Sequence, residues 1–143
     1  MTDDILAIVG SVNRYFTGSE EAEARGYIRD FLLRTKPSEV ISGGAPGVDE
    51  WAIHIAKNLG IRTRVFHAAH LRWEPDGFKD RNREIAQTCT ALLRITHRAS
   101  TTYGSGWTRD EAERLGKSTI QRDIGEAKEV KKRCDTNQTA LNV

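Results

Sequence analysis

The feature that most constrains this chain is a repeated junction: a short apolar run stops at a glycine-rich turn, and a segment of helical period follows. Ile5, Leu6, Ala7, Ile8 and Val9 end at Gly10-Ser11, and Val40-Ile41-Ser42 runs into GGAPG at 43–47. Continuous apolar runs of this length mark strands buried on both faces, as in a parallel sheet. After the second turn Val48, Trp51, Ala52, Ile55, Ala56 and Leu59 recur at three and four, with Gly60 placed as a C′ glycine and Pro46 in the first turn.

The pattern repeats along the chain. Ala24, Tyr27, Ile28, Phe31 and Leu32 share one face of a helix over 19–34. Thr17 with Glu20 has capping-box spacing, Ser19 being an equally good cap. Residues 63–66 read as a third strand. Asp76 caps a helix over 77–87, residues 91–96 form a fourth strand, and 97–106 a loop. A short helix over 108–115 and a fifth strand over 118–121 follow, then a last helix over 125–134 with Cys134 inward. Residues 1–134 make one domain and 135–143 a polar tail. The expectation is a single α/β Rossmann-like domain: a mostly parallel sheet of about five strands with helices on both faces. Ligands of such sheets bind beyond the carboxyl ends of the strands, where the glycine turns lie.

Composition narrows the setting. At 143 residues the chain needs no disulfide or metal to support a core. A net charge of +2 gives no nucleic-acid footprint by itself. Cys89 and Cys134 lack CxxC spacing, and the apolar run at 5–9 is too short for a signal peptide or a membrane span, so the reading is cytoplasmic, with no membrane partner. His67 and His70 are too few for a metal site, and nothing in the sequence calls for a cofactor.

Four constellations carry candidate chemistry. In the turn Gly43, Gly44, Gly47, the first-turn N–H groups of the helix can face a phosphate, while Asp49 bonds a ribose hydroxyl, pairs with a base or offsets the helix dipole. After the first strand, Gly10, Ser11 and Arg14 offer a hydroxyl and a cation. In FKDRNREIA (78–86), Asn82 shares the apolar face and must be hydrogen-bonded, with Arg81 beside it able to reach a phosphate bidentately. In GSGWTRDEA (104–112), Gly104, Ser105 and Gly106 precede Thr108 and Glu111. Glu111 there is either the far end of a capping box or an acid facing a sugar. Trp51 belongs to the core. Trp73 and Trp107 either stack on a base or cover the core.

The order strand-Gly-Ser, SGGAPGVDEWA, FKDRNREIA, GSGWTRDEA resembles the SLOG superfamily of Rossmann-like domains, over residues 5–122. That superfamily includes the Lonely Guy phosphoribohydrolases, the DNA-processing protein A family and the YspA-like proteins. The turn at Gly43–Asp49 and the pair Arg81-Asn82 look like the YspA-like and DNA-processing branches. Thr108-x-x-Glu111 looks like the Lonely Guy motif, with Trp107 where that loop has a glycine, and Pro46 stands where the YspA-like turn is often basic. The resemblance implies nucleotide binding. It makes Arg81 and Glu111 the catalytic candidates if the chain is an N-glycosidase of nucleoside monophosphates. The 5′-phosphate would then lie at the helix starts near Gly47 and Trp107 with Arg81, and Asp49 or Asn82 would orient the ribose.

The principal reading is binding of a nucleotide or phosphorylated nucleoside derivative, as sensor or sequestering module. The alternatives are a nucleotide N-glycosidase or (deoxy)ribosyltransferase, and single-stranded DNA binding. A homo-oligomer is expected, as single-domain proteins of this type often pair through exposed helices.

Overall fold

The computed structural model describes residues 3–126. The helix expected over 125–134, from residue 127 on, and the tail 135–143 lie outside the described residues. Five parallel strands form one sheet in the order β3-β2-β1-β4-β5. They are β1 (Ile5–Gly10), β2 (Glu39–Ser42), β3 (Arg62–Val65), β4 (Ala91–His97) and β5 (Ser118–Ile124), and the helices are α1 (Gly18–Thr35), α2 (Val48–Asn58), α3 (Phe78–Thr88) and α4 (Gly104–Arg114).

Alternation along the strands splits the core in two. Leu6, Ile8, Val40, Leu93 and Ile95 pack against α1 and α2. Ala7, Val9, Ile41 and Leu92 face Ile85 and Ala86 of α3 and Ala112 of α4. Central strands apolar on both faces are what such a doubly wound sheet requires. Each fully buried Ile or Leu adds roughly 1.5–3 kcal/mol.

Helix starts separate what local chemistry announces from what packing decides. α1 opens with the expected capping box: Glu20 N–H donates to Thr17 Oγ1 at 3.2 Å, and Thr17 N–H donates to Glu20 Oε1 at 2.9 Å. α2 ends before Gly60 at φ 77°, as its C′ position predicts. Three expectations are corrected. Pro46 precedes the N-cap Gly47 and is not in the first turn of α2. Asp76 does not cap α3. The N-cap is Gly77, and Asp76 sits at φ 54° with its own N–H donating to the Asp80 carboxylate at 3.1 Å. Finally, α4 begins at Gly104, four residues before the expected start. Thr108 is therefore inside the helix, its hydroxyl donating to the Gly104 carbonyl at 3.0 Å, and caps nothing.

β5 also runs three residues past its expected end. There Gln121 and Asp123 tie to Thr96 of β4, through Gln121 Nε2–H to Thr96 Oγ1 (2.9 Å) and Thr96 Oγ1–H to Asp123 Oδ1 (3.0 Å). No described helix is long and apolar enough to cross a membrane.

Candidate functional site at the carboxyl edge of the sheet

The direction of winding reverses at β1, which pairs with β2 on one side and β4 on the other. That reversal is where open α/β sheets leave a crevice. In this chain the crevice is largely zipped by backbone. A Cβ on Gly10 would overlap the Ile95 carbonyl oxygen, so only glycine lets β1 leave the sheet here. Ser11 N–H donates to that same carbonyl at 3.1 Å, and Ser11 Oγ accepts the His97 N–H at 3.0 Å. Ser11 is 3% exposed.

The turn after β2 closes onto the segment after β1. Asn13 N–H donates to Pro46 O (3.1 Å) and Val48 N–H to Ser11 O (3.2 Å). Gly47 has φ 120°, and a Cβ there would lie 2.6 Å from Asn13 N and Ser11 O. Glu50 N–H donates to Ala45 O at 3.2 Å. The first turn of α2 thus gives Val48 and Glu50 N–H to protein carbonyls.

Beneath this turn Asp49, from one of the sequence constellations, lies near Arg81 and Asn82 from another. Asp49 is buried and accepts N–H from Gly10 (3.2 Å) and Ala45 (3.4 Å). Burial pushes its carboxyl up to about 6, against the opposing pull of the Arg81 cation and the backbone donors. Arg81 donates from Nη1 to Gly43 O (2.7 Å) and Phe66 O (3.3 Å), and from Nε to Asn82 Oδ1 (2.7 Å). Burial lowers its hold on the proton, and Asp49 restores part of it. Asn82 Nδ2–H donates to Gly104 O at 3.4 Å. Asp49 thereby ties the Gly10 and Ala45 backbones, Arg81 and Asn82 tie Gly43 to Gly104, and charge couples Asp49 to Arg81.

Two adjoining clefts run outside this network. One, of about 320 Å³, is lined by Gly43, Gly44, Pro46, His67, Leu71 and Arg81. The other, of about 520 Å³, is lined by His67, His70, Asp76, Arg83 and Glu84. Among the described residues no group of three or more His, Cys, Asp or Glu is arranged to hold a metal.

The α4 side is built differently. Its N-cap, Tyr103, gives no side-chain cap, and Gly104, Ser105 and Gly106 form the first turn. Ser105 Oγ accepts from Arg94 Nε at 3.0 Å. Arg14 is exposed, its guanidinium 4.8 Å from the Tyr15 ring centroid, and it donates to Tyr15 Oη at 3.1 Å. Tyr15 Oη meets Thr101 Oγ1 at 3.2 Å, and hydrogen bonds from Thr101 draw the phenol down to about 8.

Glu111 lies seven residues beyond Gly104, about 10 Å along the helix. It is held by Arg114 through two hydrogen bonds (2.9 and 2.6 Å), which keep its carboxyl below the usual range. No hydrogen bond or ion pair joins it to Arg81 among the described residues. Trp73 and Trp107 pack edge to face at 5.6 Å, and Trp51 is core.

Sequence reasoning passed over Arg94 and Thr101, and placed Tyr15 after Gly10-Ser11 without a role. For Arg94 a signal was present: it is the one cation in the strand ALLRITH.

No protein-family profile matches the sequence, and no curated protein does. Solved structures do. The structural-genomics target TM1055 superposes with a TM-score of 0.63 at 16% identity, over 81% of this chain and 72% of that one. The molybdenum cofactor carrier protein of Chlamydomonas reinhardtii gives 0.62 at 15%, over 84% and 76%. DNA processing protein A from Helicobacter pylori, described for its single-stranded DNA binding mode, gives 0.57 at 20% identity. That match covers 83% of this chain and only 66% of the Helicobacter protein. At these identities the fold is what they share with this chain.

Proposed function

We propose that the chain binds a nucleotide or a phosphorylated nucleoside derivative at the carboxyl edge of the sheet, as a sensor or a sequestering module. The observation that carries this reading is the start of α4. A helix N-terminus without a side-chain cap, made of Gly104, Ser105 and Gly106, stands beside the reversal point. Its N–H groups and dipole suit a phosphate, and Ser105 adds a hydroxyl. Arg14 and Tyr15 stand on the loop after β1, where a base or ribose would lie. Gly10, Ser11, Gly43, Gly44, Gly47, Asp49, Arg81, Asn82 and Thr108 act here as the frame that fixes the position of α4.

The N-glycosidase reading needs Arg81 and Glu111 to converge, and each is engaged with another partner, Arg81 with Gly43 O and Glu111 with Arg114. Single-stranded DNA binding has two supports. One is the likeness to DNA processing protein A. The other is the exposure of Tyr103 and Trp73, whose rings can stack on bases. We also expect a homo-oligomer, read by light scattering, in a reducing cytoplasm where the buried Cys89 stays free.

The test is a thermal-shift panel of nucleoside monophosphates, dinucleotides, cyclic nucleotides and a short oligothymidylate, with product chromatography on the same samples. Stabilisation by an intact nucleotide supports the proposal. Release of free base, lost in Glu111→Ala, replaces it with the glycosidase. A response to the oligonucleotide alone, falling steeply with salt, replaces it with DNA binding. No response from any ligand overturns it.

A further inference from the structure

The ends of β4 and β5 form a third cleft, of about 400 Å³, lined by Arg94, Thr96, Arg98, Ser100, Thr102 and Asp123. Its chemistry differs from that of the zipped turns. Arg94 rises from an otherwise apolar stretch of strand and is half-buried. Its hydrogen-bond partners are neutral: Ser105 Oγ at 3.0 Å and Gln121 Oε1 at 3.3 Å. Arg109 donates to the same Gln121 oxygen at 3.1 Å, so two guanidinium groups converge on one amide. Arg109 has its own counter-ion in Asp110 at 3.0 Å. Arg94 has none within ion-pair distance among the described residues. A half-buried cation beside a second cation, with only neutral acceptors, is a group that an anion would stabilise.

The rest of the cleft supplies what an oxyanion needs. Arg98 is exposed and donates from Nη1 to Gly125 O at 2.6 Å, which leaves its other N–H groups to donate. Ser100 and Thr102 present hydroxyls 3.3 Å apart. The one carboxylate, Asp123, accepts from Thr96 Oγ1 (3.0 Å) and Gln121 Nε2 (2.8 Å) on the same oxygen. Two cations therefore stand against one carboxylate, whose charge acts on both of them and offsets one.

We propose that this cleft is a binding site for a phosphate group, free or as a phosphomonoester, held by Arg94 and Arg98 with the hydroxyls of Ser100 and Thr102. Arginine forks and hydroxyls are the side chains that match tetrahedral oxyanions. The inference does not rest on the nucleotide reading: it uses none of the turn glycines, and Ser105 enters only as a partner of Arg94.

The experiment titrates inorganic phosphate and ribose 5-phosphate, in separate arms at constant ionic strength, into the isotopically labelled full chain. Backbone amide resonances over 98–102 are followed in the wild type, Arg94→Gln and Arg98→Gln. Saturable shifts are expected there, with affinity falling by about tenfold in each variant, the loss of one charge-assisted contact. Saturation by phosphate alone identifies the free anion, and tighter binding of ribose 5-phosphate identifies the ester. Absence of saturable shifts, an equal response to acetate, or unchanged affinity in Arg98→Gln overturns the proposal. Arg98 is exposed, so that variant stays informative even if Arg94→Gln fails to fold. Shifts over 98–102 that leave the amides of Gly104 and Gly106 unmoved would separate this site from the edge beside Gly104.

Discussion

The two halves of the carboxyl edge are assembled from similar-looking sequence and do opposite things. On the β1–β2 side, glycines let backbones touch, Asp49 turns inward to satisfy the turns, and Arg81 and Asn82 satisfy each other and the turns. On the β4–β5 side, Gly104, Ser105 and Gly106 open an uncapped helix, and Arg94 and Arg98 have neutral partners. A glycine cluster therefore has two physical meanings. It can admit a ligand, or it can admit another stretch of the same chain. What distinguishes them is whether the polar groups nearby already have partners.

This contrast can be broken at single residues. Gly10→Ala puts a Cβ into the Ile95 carbonyl, and we expect a loss on the order of 4 kcal/mol or more in urea unfolding. Native stability in that variant would mean the closed half is not packed as described. Arg81→Met leaves the buried Asp49 without its cation and the Gly43 carbonyl without its donor. A loss of about 3 kcal/mol at neutral pH is expected from denaturant midpoints.

The third prediction concerns pH. Asp49 titrates in the folded state at about 6, above its unfolded value of roughly 4. Folding therefore favours the protonated carboxyl. The stabilisation is complete below the unfolded value and is lost as pH rises through about 6. Relative to Asp49→Asn, the wild type should gain on the order of 2 kcal/mol between pH 7 and pH 4. A flat difference between the two proteins would show that Asp49 is better solvated than its burial implies.

The smallest effect sharpens the other half. At Gly104 a Cβ would find nothing nearer than Asn82 Nδ2 at 3.8 Å. Gly104→Ala should change stability by less than about 0.5 kcal/mol. A large loss there would make the two halves alike.

Most of the scaffold was legible because strand and helix periods are set by burial, and burial is written in residue type. The runs at 5–9 and 40–42 and the faces of α1 and α2 needed nothing further. Asn82 was readable too, since an amide on an apolar face must find partners. The start of α4 was not. Three small residues look like a loop, and the backbone bond from Trp107 N–H to Tyr103 O at 2.9 Å is what starts the helix there. That shift moved Glu111 two turns down the helix and away from the edge. Partnering was the other hidden variable. Nothing in the letters 43–49 says that Val48 N–H goes to Ser11, or that Arg81 lies under Gly43. Arg94 was readable in principle, as a cation where a doubly wound sheet wants an apolar side chain.

The place of β1 in the sheet also orders events in time. It is the first of the five described strands in sequence and the middle one in the sheet. Ser42 reaches back across 34 residues to Ile8, whereas the His97 N–H reaches Ser11 across 86. As the chain emerges, β1, β2 and β3 can pair early, while the other side of β1 keeps its unpaired backbone until β4 arrives. An unpaired, apolar strand edge is prone to wrong partners, and contacts so distant in sequence form slowly. The reversal point, and every ligand position that depends on it, exists only once that last half has docked.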